Sequence, residues 1–188
     1  MQMQAIDVLS HARPRLLSRA EYDRLVEAEF YRDERVELIR GLVVEMSPIG
    51  VPHCDPIDFL TRHFILSLRD RATVRVQLPF AASNDSQPQP DLALVPPRRY
   101  NDQHPSRAFL LVEVAESSLA YDRETKPPLY AEYDVDEYWI VNTNARRIEV
   151  YDQPQDGRFQ RVRYFEREQE LAPAVFPDII VCVADVFP

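Results

Sequence analysis

Two periods of apolar residues run along the chain. In "LLSRAEYDRLVEAE" they recur at helical spacing, and Ser18 followed three residues later by Glu21 forms a capping box, which predicts a helix from Arg19 to Glu29. "ERVELIRGLVVEMSP" then alternates: Val36, Leu38 and Val43 about an Arg40-Gly41 turn predict a hairpin of two short strands. A second helical stretch, "HCDPIDFLTRHFILSLRD", places Ile57, Leu60, Phe64, Ile65 and Leu68 on one face. From Ala72 the period is two. "TVRVQLPFA", "DLALV", "FLLVEVA", "DEYWIV", "RIEVY", "RFQRVRYF" and "DIIVCVADVF" read as strands, the last ending in a helical turn. A polar loop, "SNDSQPQP", and a proline-rich one, "PPRRYNDQHPSR", separate the first three of these. Without repeats or a linker, the pattern predicts an α+β fold with one mixed sheet flanked by helices.

Composition narrows this picture. At 188 residues, 45% hydrophobic and 10% aromatic, the chain fits one domain over 1–188, with 1–17 as a loose lead-in. Acidic residues outnumber basic ones by 31 to 22, a net charge of −9, which argues against a broad basic surface coating nucleic acid. Three glycines are too few for a phosphate-cradling loop. The two cysteines, Cys54 and Cys182, form neither a CxxC pair nor a disulfide framework, and no apolar run reaches membrane-spanning length. A reduced, cytoplasmic protein with no membrane partner is the expectation.

Two acids interrupt this apolar background. Asp91 opens "DLALV" just after Pro90, and Glu113 lies inside "FLLVEVA", a run with no polar face and therefore the signature of a strand covered on both sides. An unpaired ionised carboxylate there would cost several kcal/mol or take up a proton, so Glu113 requires a partner, a wet cleft or a cation. If the two strands form an antiparallel hairpin centred near Asp102, Asp91 falls opposite Glu113 and Val95 opposite Phe109. Two carboxylates so placed repel, and a divalent cation resolves the conflict; hard oxygen ligands select magnesium or manganese. Downstream, Thr125 is a candidate cap for a short helix starting with Lys126, near the end of the Glu113 strand, with Asp122 available to hold the lysine or a water.

These elements carry a resemblance. "QPDLALV", "LLVEVAESSLAYDRETKPPLYAEYDVDEYWIV" and "RRIEVY" together resemble a large bacterial family of restriction-endonuclease-like proteins within the PD-(D/E)xK nuclease superfamily, long catalogued as a domain of unknown function. The likeness runs from the first helix to "VADVF". It implies a restriction-endonuclease-like sheet between helices and a magnesium site for phosphodiester hydrolysis, most naturally in DNA. By the same likeness Asp91 is the motif aspartate, Glu113 the motif acid, and Glu37 an acid contributed from an earlier element. Asp91, Glu113 and the Val114 carbonyl would hold the metal. The superfamily lysine belongs two residues beyond the acid, where this chain has Ala115; its role passes to Lys126 on the following helix. Asp134 stands in a turn where relatives often have glycine. Homodimers are the analogy for cutting two strands.

Plainer readings stand beside each of these. Glu113 is also explained by a structural ion pair, Asp91 by a turn after proline, Lys126 by a solvated surface, and Glu37 by a solvent-facing strand position. His53, His63 and His104 lack the spacing of a helical zinc pair, and Trp139 reads as core. Arg98, Arg99 and Arg107 are either phosphate contacts or ordinary surface arginines. Functionally, a degenerate member that binds nucleic acid or protein without cutting remains open, as does hydrolysis of another phosphoester.

Overall fold

The computed structural model describes residues 13–47 and 50–187; residues 1–12 of the expected lead-in lie outside them, and 13–17 carry no regular structure. The capping box forms as expected. The Ser18 hydroxyl accepts from the Glu21 N–H at 3.3 Å, and the Glu21 carboxylate accepts from the Ser18 N–H at 2.9 Å, starting α1 (Arg19–Glu27). The helix stops two residues early because Glu29 turns to a positive φ of 58°. The hairpin β1 (Val36–Ile39) and β2 (Leu42–Glu45) turns through Arg40 and Gly41, both at positive φ, the twist that suits a two-residue loop. Gly41 is needed twice over, since a Cβ there would stand 2.6 Å from the Leu16 Cβ.

Helix α2 (Val51–Leu68) buries Ile57, Leu60, Phe64 and Leu68, but Ile65 is exposed, which corrects one position of the expected apolar face. The main sheet has six strands in the order β3 (Thr73–Val76), β4 (Leu92–Val95), β5 (Leu110–Ala115), β6 (Glu137–Asn142), β7 (Arg147–Gln155) and β8 (Arg158–Phe165). All neighbours are antiparallel except β5 and β6, so the sheet is mixed. A parallel step needs a crossover. Two short helices supply it, α3 (Leu119–Glu124) and α4 (Lys126–Glu132). Only the second was expected from sequence, and Thr125 does not cap it: this residue is itself helical and makes no side-chain cap bond. The chain closes with β9 (Glu170–Leu171), β10 (Val181–Cys182) and α5 (Val183–Val186).

Alternation in the central strands builds two cores. Leu92, Leu94, Leu110, Val112, Val114, Trp139 and Val141 face α2 and the C-terminal segment, with Phe64 6.2 Å from Trp139 between ring centres. Ala93, Val95, Leu111, Ala115 and Ile140 face the other way, against Leu129 and Tyr130 of α4 and Ile39 of β1. Trp139 is thus core, as its strand spacing implied. Strand "TVRVQLPFA" ends at Val76, earlier than expected, because Gln77 adopts a φ of 49° and Pro79 has no N–H to continue the ladder. No helix among the described residues is long and apolar enough to cross a membrane.

Candidate active site

The site depends on strand register. Strand β4 pairs with β5 through Leu92↔Val112, Ala93↔Leu111 and Leu94↔Leu110, so Asp91, one residue before β4, stands across from Glu113. Two bonds fix this relation. The Asp91 N–H donates to Glu113 Oε2 at 3.3 Å, and the Val114 N–H donates to Asp91 Oδ2 at 2.8 Å. Because Glu113 alternates with Val112 and Val114, it points to the face covered by α4 and β1 rather than by α2.

Two further residues arrive on that face from distant segments. Lys126, the first residue of α4, places its ammonium 2.7 Å from Glu37 Oε2 and 3.2 Å from Glu113 Oε1. Glu37 is buried, not solvent-facing; it also accepts from the Tyr121 hydroxyl at 3.1 Å and from the Gln89 N–H at 3.2 Å. The Tyr130 hydroxyl donates to Glu113 Oε1 at 2.8 Å. Tyr130 lies four residues after Lys126, so one helix face presents both to the same carboxylate. Lys126 is 3% exposed, which overturns the surface reading. Ala115, where the resemblance would put the lysine, is fully buried on the α4 side.

Glu37, Asp91, Glu113 and Lys126 line one cleft of about 290 Å³, together with Arg35, His53, Val114, Ser117, Ser118, Tyr121 and Asp122. Asp122 accepts from the Ser118 hydroxyl at 2.6 Å and not from the lysine. Burial pushes Glu113 up to about 8, against the pull of Lys126 and with the push of Asp91, Asp122 and Glu37. Burial likewise raises Asp122 to about 6, opposed by the Ser118 bond and Lys126. Burial alone would lower Lys126, but the carboxylates of Glu113 and Glu37 more than reverse it, so the ammonium stays charged. Two acids, Glu37 and Glu113, therefore contact one ammonium, while Asp91 and Asp122 line the same cleft.

Gln77, Tyr121 and Tyr130 were not singled out from sequence, and His53 was weighed only as a zinc ligand and set aside. His53, in the first turn of α2, puts Nε2 3.0 Å from Asp91 Oδ1, reaching it around the end of β4. Gln77 donates its side-chain amide to the same oxygen at 3.2 Å. Tyr121 holds Glu37. None carries a local signal, since each is delivered by tertiary packing. The arginines of the β4–β5 loop are not brought to the cleft. That loop joins the opposite ends of the two strands, where Arg98 lies over Tyr100 at 4.6 Å and Arg107 pairs with Asp136 at 3.2 Å.

Comparison with known proteins gives the family and the fold. A family model described as "Uma2: Putative restriction endonuclease" matches residues 19–184. The chain belongs to this family. A crystal structure from Anabaena variabilis ATCC 29413, described as a "putative nuclease belonging to DUF820", superposes with a TM-score of 0.74. It is 16% identical, and the match covers 91% of this chain and 97% of that one, so the fold is shared. No curated protein sequence matches. Among the described residues no three histidine, cysteine or acidic side chains stand at coordinating geometry. The donor set still suits a hard cation: two opposed carboxylates in a cleft with surplus negative charge, and magnesium keeps most of its shell as water.

Proposed function

We propose that this chain is a metal-dependent nuclease that hydrolyses phosphodiester bonds in DNA. The observation that carries the reading is the convergence of Glu37, Asp91, Glu113 and Lys126, from four separate segments, on one cleft. Membership of a family described as restriction endonucleases supports it.

Asp91 and Glu113, with the Val114 carbonyl, are the residues that would hold magnesium or manganese. When bound, such an ion acidifies a water and polarises a phosphate oxygen. Lys126 supplies a fixed positive charge at the cleft floor, where water is scarce and a developing negative charge is most strongly stabilised. Glu37 and Tyr121 keep that ammonium in place. Glu113 must give up its proton to act as a ligand, and its raised pKa makes this a pH-dependent step. Arg35, an exposed cation on the lining, is placed to meet a phosphate entering the cleft.

The test is incubation of the full chain with supercoiled and linear DNA in magnesium or manganese, against chelator. Cleavage that needs the metal and disappears in Glu113→Gln and Lys126→Ala is expected. Cleavage unchanged in both variants would remove these residues from the mechanism. Metal-independent retention of DNA without cutting would favour a binding module instead.

A further inference from the structure

Gln77 occupies the one backbone conformation in the β3–β4 region that its side chain does not favour. The ladder between these strands ends at Val76↔Leu92, and one step further Gln77 takes a φ of 49°. Most of the other positive-φ residues stand at turns or helix ends: Arg40, Arg146 and Asp156 are in hairpin turns, and Glu29, Arg69 and Asp134 follow helices. Gln153 lies in β7 at a step where its pairing with β8 is interrupted, and Gln77 differs from it in that its side chain reaches the cleft at Asp91. Turns that need this conformation take glycine, asparagine or aspartate. Glutamine is none of these, and strain retained at such a position points to what the side chain does there.

Both ends of Gln77 engage one residue. Its N–H donates to the Asp91 carbonyl at 3.1 Å, prolonging the ladder, while its amide nitrogen donates to Asp91 Oδ1 at 3.2 Å. An extended residue would send its side chain away along the pleat; the left-handed turn allows one residue to hold both backbone and carboxylate of its neighbour. With His53 also on Oδ1 and the Val114 N–H on Oδ2, three contacts from three elements fix the orientation of this carboxylate. A carboxylate offers about four lone-pair directions, so close to one is left for a cation.

We propose that Gln77 is a positioning residue, holding Asp91 in the orientation from which it binds the metal. This rests on the nuclease reading, in which Asp91 is a ligand. Gln77→Gly keeps the backbone conformation and removes the amide; Gln77→Ala removes the amide and keeps the strain. In the full chain, Gln77→Gly is expected to melt no lower than Gln77→Ala, while both bind manganese about tenfold more weakly by calorimetry without DNA, the usual scale for losing a partner of a metal ligand. A fall in kcat at unchanged KM accompanies this. A crystal structure of metal-free Gln77→Gly should show the Asp91 carboxylate rotated. Manganese affinity equal to the parent in both variants would overturn the inference. If the parent binds no manganese, the nuclease reading fails on its own, and an unrotated Asp91 in the variant crystal then overturns the positioning role separately.

Discussion

Lys126 is the sharpest place to perturb the molecule. Its ammonium is buried between Glu37 and Glu113, at 2.7 and 3.2 Å, so Lys126→Met leaves two buried carboxylates without their cation. Breaking one side of a buried ion pair costs about 3–5 kcal/mol. For a chain of this size each kcal/mol moves the melting temperature by about 2–4 °C, so a fall of about 6–20 °C is expected. The loss depends on pH with a definite sign. Glu113 already stands near 8 in the folded protein, above its value when unfolded, so the folded state holds the extra proton and stability falls as pH rises between the two values. Without Lys126 the folded value climbs further, extending that window upward. The variant is therefore expected to lose more at pH 9 than at pH 6 in urea titrations without metal. Glu113→Gln should recover part of the loss in the double variant, with a coupling of about 0.5–3 kcal/mol. A loss under about 1 kcal/mol, the scale of an exposed pair, or an equal loss in the Glu113→Gln background, would refute the bridging role.

Two further outcomes follow from the same geometry. Magnesium or manganese should raise the melting temperature of the parent chain and chelation should reverse it, whereas Asp91→Asn should respond to neither; differential scanning fluorimetry reads this directly. Away from the cleft, Glu149 is fully buried in β7, where burial would raise its pKa but Arg123, Asn142 and Arg147 hold it below the ordinary value. Its contribution is present above the unfolded value near 4.5 and lost as pH falls through the folded one, so Glu149→Gln should flatten the acid limb of stability against pH.

The strands that carry the site were legible from their apolar runs, but their register was not, since a run with no polar face leaves it open and it rested on assuming a hairpin centred near Asp102. That register, with Asp91 across from Glu113, is the one the sheet adopts. The place of Lys126 at a helix start near the Glu113 strand was legible, but its burial was not, because it depends on β1, far away in sequence. Helix α3 was missed because six residues give too little periodicity to distinguish a helix from a loop. His53 and Gln77 reach Asp91 from the end of a helix and from a strained turn, and neither position announces a partner in its own neighbourhood. For the arginine-rich loop the sequence left two readings open, because proximity in sequence to both acids becomes distance when the strands run antiparallel.

The scattering of the cleft along the chain has a consequence for how the protein comes into being. Glu37 and Lys126 are 89 residues apart, and every acid of the constellation precedes the lysine. A nascent chain that has not yet emitted residue 126 holds the carboxylates but no cation, and even a complete chain lacks it until α4 has docked against the sheet. Contacts of such separation form late, after the loop between them has been closed. A fragment that ends before residue 126 therefore carries these acids without the ammonium that stands between Glu37 and Glu113 in the finished fold.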